Sequence, residues 1–439
     1  MRRVAVVGSG IAGLSVAHGL AGVADVTLFE AGAYFGGHTH TVDVTLDGVT
    51  HGVDTGFLVL NERTYPALQR LLRELDVPIA KSEMSFSVQV PDLGLEWSGN
   101  SLNSVFAQRR NLLRPRFWRM LIDLLRFNRI ATALAQNGAE AGVDEPIEAF
   151  LSRHRFSAEF RDWYFLPMIG CIWSCPLDQM LRFPVATMIR FCHNHGLIQV
   201  ANRPQWYTVQ GGARRYVEKM LACVPDARLN TPVRSVRRLT DGHIDAGVLV
   251  TTAMGTERFD AVVLACHCDQ SLALLADPTP AEAQVLGAIR YQRNRAVLHT
   301  DTSVLPTRRR AWAAWNYERA AQRDGADDDE VAVCLHYLLN RLQPLPFSTP
   351  VLVSLNPVAE PRADAVLGEF DYAHPVFDRA AIAAQQHVGA LQGARSTWFC
   401  GAWTRYGFHE DGLVSGLAVR DGLRARLAGS ALVPDRDVA

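Results

Sequence analysis

The 439-residue sequence predicts an α/β fold that opens with a Rossmann-like βαβ unit, and three observations predict it. The β-branched run at residues 4–7 ends in a turn of the pattern Gly-x-Gly-x-x-Gly at residues 8–13. A helical pattern follows from Ile11 to Leu20. A second β-branched run, at residues 26–29, then ends in Glu30. This order of strand, glycine turn, helix and acid-terminated strand is typical of a dinucleotide site.

Each residue of the turn has a physical role in such a site. Gly8 permits the tight turn, Gly10 lets the backbone approach a pyrophosphate, and Gly13 lets helix and strand pack closely. Ile11 and Ala12 begin the helix, where free N–H groups and the positive end of the helix dipole face the phosphates. The turn therefore predicts a phosphate cradle.

Glu30 lies where a carboxylate accepts hydrogen bonds from the ribose hydroxyls of the adenosine half. An acid at this position disfavours a 2′-phosphate, so NADP is not expected. These residues alone leave FAD and NAD open.

Composition and charge narrow the class of protein. An apolar content of 48% predicts an ample core, and a net charge of −1 gives no argument for nucleic-acid binding. The chain starts directly with a strand, so we expect no signal peptide, and no apolar run is long enough to span a membrane. We expect a cytoplasmic protein with free thiols and no metal site, because the eight cysteines lack paired zinc-ligand spacing.

The fingerprint, the glycine pair at residues 36–37 and a strand at residues 54–56 (Asp-Thr-Gly) together resemble the flavin amine oxidase superfamily. That superfamily also includes phytoene desaturases and protoporphyrinogen oxidases. The resemblance implies non-covalent FAD and a Rossmann-like FAD-binding domain interleaved with an α+β substrate domain. It places the FAD-binding domain at residues 1–80, 205–270 and 391–430. The substrate and membrane-facing domain is expected at residues 81–204 and 271–390.

The same resemblance implies cofactor contacts beyond the fingerprint. The backbone of Val233 would lie against the adenine. A closing strand that ends in Gly401, with the helix start that follows, would face the flavin. The full set of further contacts is Gly37, Thr39, Gly56, Phe57, Val233, Gly401, Asp411, Gly412, Leu413 and Val414.

Two departures from the amine oxidase pattern concern the chemistry. The lysine that those oxidases carry near the flavin aligns with Asn294 or Arg295, and the only lysines of the chain lie elsewhere. An aromatic position just before the closing helix is occupied by His409. His409, as a general base, and Glu410 are therefore the leading catalytic candidates. The alternative is that His409 only hydrogen-bonds the flavin or closes the helix N-terminus.

Residues 108–129 form the most informative segment outside the cofactor motifs. Seven arginines face a single aspartate, interleaved with leucine, phenylalanine, tryptophan and isoleucine, and a helix is expected from Pro115. This pattern is typical of a helix in an anionic membrane interface. A core helix with a basic outer face is the alternative.

Four runs, at residues 54–57, 203–206, 312–317 and 339–343, are similar to one bacterial subgroup of FAD proteins. Its members are often encoded beside cyclopropane-fatty-acid-synthase-like methyltransferases, and one branch is linked to furan or methyl-branched fatty acids. The resemblance implies a desaturase acting on a methylated acyl chain of a phospholipid, peripheral on the inner membrane face. The alternatives are a soluble flavin amine oxidase and a non-catalytic FAD-bearing partner that delivers lipid to a methyltransferase.

Overall fold

A computed structural model of the chain describes residues 1–138, 145–173, 177–199, 203–241, 244–319 and 333–430. The predicted α/β class is confirmed. The strands of the described residues, numbered in chain order, are β1 Arg3–Val7, β2 Asp25–Phe29, β3 Thr41–Leu46, β4 Val49–Asp54, β5 Leu60–Asn61, β6 Ile79–Ser82, β7 Phe86–Val90, β8 Leu95–Ser98, β9 Trp206–Val209, β10 Asp226–Arg228, β11 Ser235–Asp241, β12 Ile244–Thr252, β13 Gly255–Phe259, β14 Ala261–Leu264, β15 Arg290–His299, β16 Trp315–Glu318, β17 Cys334–Leu338, β18 Leu352–Leu355, β19 Val366–Val376 and β20 Thr397–Phe399.

The α-helices of the described residues are α1 Ile11–Leu20, α2 Pro66–Glu74, α3 Leu102–Val105, α4 Pro115–Gln136, α5 Ile147–Arg153, α6 Ala158–Phe160, α7 Leu166–Trp173, α8 Leu177–Leu181, α9 Val185–Asn194, α10 Arg214–Leu221, α11 Cys268–Leu274, α12 Pro280–Gly287, α13 Leu339–Leu342, α14 Arg379–Gln385, α15 Val388–Leu391 and α16 His409–Ser430. None of these described helices combines the length and the apolarity needed to cross a bilayer.

A five-stranded parallel sheet of order β10-β2-β1-β14-β20 collects strands from three separate parts of the chain. Its central strands β1 and β14 are almost wholly apolar and buried, as expected for a parallel sheet covered on both faces. Helix α1 packs against the closing helix α16. The carboxyl ends of the strands therefore meet at one edge, beside the glycine turn that follows β1.

A second, seven-stranded sheet has the order β19-β15-β18-β17-β16-β7-β8. All its pairings are antiparallel except that of β16 with β7. Helices α3 to α9 lie between β8 and β9 in the chain, and α4 packs against α6 and α9 within this group. The three smaller sheets are the hairpin β3-β4, the sheet β5-β9-β6 and the meander β11-β12-β13.

The strand predicted at residues 54–56 ends earlier than expected, because β4 stops at Asp54. Beyond Asp54 the backbone hydrogen-bonds to the loop at residues 38–40 and not to a neighbouring strand. The N–H of Thr55 donates to the carbonyl of His40, and the N–H of Phe57 donates to the carbonyl of His38. The sequence pattern of residues 53–59 does not reveal this change of partner.

The buried carboxylate of Asp54 joins segments that lie far apart in the chain. It accepts hydrogen bonds from the Thr41 hydroxyl at 2.5 Å, the Ala213 N–H at 2.9 Å and the Gln343 amide at 2.6 Å. The side-chain oxygen of Gln343 in turn accepts the N–H of Asp54. Ala213 precedes α10 and Gln343 follows α13, so one carboxylate connects the hairpin β3-β4, the start of α10 and the segment between β17 and β18. Burial raises the pKa of Asp54 to about 6 despite these bonds.

We expect the substitution Asp54→Asn to lower the free energy of unfolding by about 1–3 kcal/mol. The reason is that the NH2 group of the introduced asparagine would face the NH2 group of Gln343. The double variant Asp54→Asn, Gln343→Glu restores a donor facing an acceptor and should recover most of the loss. Urea unfolding curves of the three proteins measure both effects. Equal stability of the single and double variants would contradict the pairing.

Candidate cofactor and active site

The glycine turn after β1 has the geometry that its sequence predicts. Gly8 has φ +102°, and a Cβ there would lie 2.9 Å from the carbonyl oxygen of Ala265. A Cβ on Gly13 would lie 1.9 Å from the carbonyl oxygen of Gly8, so helix and strand are in backbone contact. A Cβ on Gly10 would meet no protein atom within 4 Å. The open space beside Gly10 is therefore available to a ligand.

Ile11 and Ala12 form the first turn of α1, and no side chain caps this helix start. Because the first N–H groups of a helix have no partner within it, they are available to an anion. The predicted phosphate cradle thus consists of an open turn and an uncapped helix N-terminus.

Glu30 directly follows β2 and lies against the turn. One carboxylate oxygen accepts the N–H and hydroxyl of Ser9 at 2.9 and 2.5 Å, and the other accepts the N–H of Gly32 at 2.8 Å. The oxygen that accepts only the Gly32 N–H has a further lone pair for a ribose hydroxyl. The N–H of Thr231 donates to the carbonyl of Glu30, so the segment that carries Val233 runs beside the acid.

Gly37 and Gly56 bring two further loops to the turn. A Cβ on Gly37 would lie 3.2 Å from the Cα of Gly10, and a Cβ on Gly56 would lie 2.3 Å from the carbonyl oxygen of His38. Backbone therefore meets backbone at both positions, which leaves no room for a larger residue.

The rings of Phe57 and His409 stack with centroids 3.9 Å apart. Tyr216 hydrogen-bonds His409 Nε2 at 2.7 Å and also hydrogen-bonds Thr39. The structure thus gathers the predicted residues Thr39, Phe57 and His409 from three distant segments. It adds Tyr216, whose role has no motif in the sequence.

Desolvation lowers the pKa of His409 to about 3. The imidazole is therefore neutral at physiological pH, with Nε2 engaged by the Tyr216 hydroxyl. It can hold a hydrogen bond to a neighbouring group without adding charge to the site.

Glu410 is engaged elsewhere. Its two carboxylate oxygens accept the N–H groups of Ala67 at 2.7 Å and Leu68 at 2.9 Å, in the first turn of α2. A carboxylate at a helix N-terminus satisfies orphan donors and complements the dipole. Glu410 therefore anchors α2, and the catalytic roles predicted for Glu410 and His409 stay predictions.

The closing segment contributes to the cradle through one face of α16. A Cβ on Gly412 would lie 3.0 Å from Cγ2 of Ile11, so this glycine contacts the first turn of α1. The N–H of Gly401 donates to the Ser415 hydroxyl oxygen at 2.8 Å, which joins the end of β20 to the same helix. Leu413 is fully buried.

Asp411 and Val414 lie on a different face of α16 and line a cavity of about 400 Å³. Its other walls include Tyr65, Phe191 and Phe408. Asp411 accepts the N–H of Phe408 at 3.0 Å, and burial raises its pKa to about 6. Gly412 thus contacts the helix that follows the glycine turn, whereas Asp411 and Val414 face the cavity.

His38 is a site residue that the sequence analysis missed. Its Nε2 atom is buried and has no hydrogen-bond partner among the described residues, and desolvation lowers the pKa of His38 well below the usual range. Its ring lies 5.1 Å from that of Tyr372 and 5.4 Å from that of His374. His374 Nδ1 accepts the amide of Asn294 at 2.9 Å. The position directly after the glycine pair 36–37 was the available signal.

A buried ring nitrogen without a partner next to an open, uncapped turn fits a polar ligand better than it fits an empty core. The residues present therefore suit FAD. They would hold it through the turn at residues 8–13, Glu30, the loop at 37–39 and the start of α16.

Gly10→Ala tests the cradle. Because the added methyl meets no protein atom, the apoprotein should unfold at the wild-type denaturant concentration while FAD affinity falls by about tenfold or more. Gly13→Ala is the contrasting variant and should destabilise the apoprotein itself, since its methyl would strike the Gly8 carbonyl. Apoprotein unfolding and FAD titration by flavin fluorescence measure the two effects. Unchanged FAD affinity in Gly10→Ala would place the cofactor elsewhere.

Known structures share this architecture. The chain superposes on a CLA-producing fatty acid isomerase from P. acnes with a TM-score of 0.64 at 16% identity, over 97% of this chain and 98% of the other. A putrescine oxidase bound to putrescine gives 0.67 at 17% identity, over 97% and 99%. Cyclohexylamine oxidase from Brevibacterium oxydans gives 0.65 at 15% identity, also over 97% and 99%. These likenesses establish the fold.

The family model for flavin containing amine oxidoreductases matches residues 11–337, about three quarters of the chain. The match begins at the first residue of α1 and ends in β17, so it includes Glu30, the loop at residues 37–39 and much of the seven-stranded sheet. The chain therefore belongs to the flavin-containing amine oxidoreductase family, and it is an oxidoreductase whose cofactor is FAD.

Proposed function

We propose that the protein is a peripheral-membrane dehydrogenase that introduces a double bond into a methylated acyl chain of a phospholipid, as implied by the bacterial subgroup it resembles. The observation that carries this proposal is an exposed apolar face on α4. Trp118, Ile122 and Leu125 recur at helical spacing, and the last two are 63% and 59% exposed. Leu113, just before the helix, is 88% exposed.

We call Leu113, Trp118, Ile122 and Leu125 the α4 apolar face. A core helix with a basic outer side would bury such residues and present only charges to water. Large apolar side chains that share an exposed helix face instead favour contact with a membrane or a protein.

Charge supports a membrane as the partner. Arg109, Arg110 and Arg114 precede α4, and no carboxylate of the described residues pairs with them. Their side chains instead bond backbone carbonyl and side-chain amide oxygens, which leaves the positive charge uncompensated. Uncompensated arginines beside an apolar face suit anionic headgroups. By contrast, Arg116 and Arg119 both pair with Glu159.

The cavity beside α16 has aromatic walls, and one of its walls belongs to a helix that packs against α4. Helix α9 packs against α4, and its last turn contributes Phe191 to the cavity wall beside Phe408. Arg63 and Arg405 also line the cavity and are exposed. An acyl chain matches the aromatic walls, and an anionic headgroup matches the two arginines, which share the lining with Glu410 and Asp411. The similar fold of a fatty acid isomerase is consistent with such a substrate.

The chemistry requires removal of a hydride from one carbon and a proton from its neighbour. When bound, FAD supplies the hydride acceptor and passes two electrons to oxygen or another acceptor. His409 is neutral and is oriented by the Tyr216 hydroxyl, and it is the group that would accept the proton. Four electrons come from the two broken C–H bonds: one pair leaves with the hydride, and the other pair becomes the new double bond.

A soluble amine oxidase is the second candidate, favoured by the family match and the amine oxidases of similar fold. Asn294 stands near the place where those enzymes would carry a lysine, and it bonds His374. A non-catalytic FAD protein that delivers lipid to a methyltransferase is the third. Substrate reduction of the flavin distinguishes the three.

Under anaerobic conditions, phospholipid vesicles with a mid-chain methyl branch should bleach the flavin and yield a lipid lighter by two hydrogens.

His409→Gln should slow this step by about 100-fold or more, with unchanged FAD content. Because the pKa of His409 lies at about 3, the rate should show no inflection from this residue between about pH 5 and pH 8. Stopped-flow absorbance and mass spectrometry of the lipid measure these outcomes. Bleaching by putrescine or cyclohexylamine but not by lipid would support the amine oxidase, and bleaching by neither would support the delivery partner.

The double variant Ile122→Glu, Leu125→Glu should lose flotation with phosphatidylglycerol vesicles, because two charges would enter the interface. Met254→Glu is the matched control, since Met254 is also exposed but lies on the turn between β12 and β13. Both proteins should unfold at the wild-type denaturant concentration. Equal flotation of all three proteins would assign the α4 apolar face to another partner.

A further inference from the structure

Three side chains with metal-binding atoms converge on the seven-stranded sheet, away from the cofactor cradle. Glu318 ends β16, and its cross-strand partner on β17 is Cys334. His336 follows two residues later on β17, so its side chain projects from the same face as that of Cys334. The ligand atoms of the three residues all lie within 4.8 Å of one another.

The separations suit one shared ion. Cys334 Sγ lies 3.4 Å from His336 Nε2 and 3.9 Å from Glu318 Oε2, and the latter two atoms are 3.0 Å apart. Zinc bonds of about 2.0–2.3 Å in a tetrahedron imply donor separations of about 3.2–3.6 Å. The observed edges bracket those values. We propose that Glu318, Cys334 and His336 form a site for a borderline-soft divalent cation of the zinc type.

A simple ion pair between glutamate and histidine does not account for the thiol. Cys334 contributes a third donor atom to the same point, and the backbone N–H of Val358 also hydrogen-bonds its sulfur. One sulfur, one nitrogen and one oxygen ligand select zinc-like ions over Mg²⁺ or Ca²⁺, which prefer oxygen alone.

The other ring nitrogen of His336 is held as metal-binding histidines usually are. Nδ1 lies 2.6 Å from the Ser354 hydroxyl, which lies 2.7 Å from His299 Nε2. His299 Nδ1 accepts the N–H of Asp301, so the orientation of the whole row is set by the backbone. On metal binding the thiol loses its proton to solvent. The ring proton of His336 then resides on Nδ1 and is donated to one of the two lone pairs of the Ser354 hydroxyl oxygen.

The sequence analysis predicted no metal site, because the three ligands do not follow a recognised spacing. Cys334 and His336 are two residues apart, and Glu318 reaches them only through strand pairing. The ion would join β16 to β17 and would leave one coordination position open.

The test uses the full-length protein with its FAD, dialysed against a chelator and then titrated with Co²⁺. We expect one Co²⁺ per chain, with visible d–d bands at wavelengths longer than the flavin absorbs, and displacement by Zn²⁺ with a dissociation constant of about 1 µM or tighter. Cys334→Ser should lose these bands. Cys268→Ser, which changes a buried thiol beside Tyr291, should keep them.

Ser354→Ala separates a metal site from a hydrogen-bond network. If Ser354 orients a metal ligand, its loss should weaken Zn²⁺ binding by about tenfold or more. Elemental analysis of the wild-type protein before chelation gives a readout that requires no variant. A wild-type protein that binds no Co²⁺ at micromolar concentration, or identical spectra for wild type and Cys334→Ser, would overturn the proposal and leave the cluster as a hydrogen-bonded row.

Discussion

Backbone contact between the first helix and the last is the constraint on which the cofactor site depends. A Cβ on Gly416 would lie 2.3 Å from the carbonyl oxygen of Ala12 and 2.1 Å from the Ser15 hydroxyl. Gly412 makes a similar approach to Ile11. Glycine at both positions lets α16 lie directly on α1, and that contact places the start of α16 beside the phosphate cradle. Larger residues here would move the two halves of the cradle apart.

The site that results is polar but carries little positive charge. Burial lowers the pKa values of His38, His267, His374 and His409, so these imidazoles are neutral at physiological pH. Neutral rings can donate or accept one hydrogen bond each without the solvation cost of a buried cation. A water-poor site of this kind strengthens the few polar contacts that a bound cofactor makes.

The sequence predicts local features well and long-range partners poorly. Gly8 has the positive φ and Gly13 the close helix–strand contact that their spacing predicts, because both features depend on the local chain. Glu410 was predicted as a catalytic residue, yet its hydrogen-bond partners are the N–H groups at positions 67 and 68, more than 340 residues earlier. The bond between Asp54 and Gln343 spans 289 positions. No periodicity or motif reports a pairing at such a separation, and the orphan nitrogen of His38 becomes visible only when its surroundings are known.

The order in which the parts of the parallel sheet are synthesised has a consequence for biogenesis. Strand β20, which pairs with the edge of β14, and helix α16 are synthesised after the other described elements of the cofactor site. Until they emerge from the ribosome, the nascent chain carries an unpaired apolar strand edge and half a cradle, a condition that invites aggregation. Contacts of such high sequence separation also form slowly. Cofactor loading should therefore follow the synthesis of α16, and a supply of FAD at that moment would act as a folding aid as much as a prosthetic group.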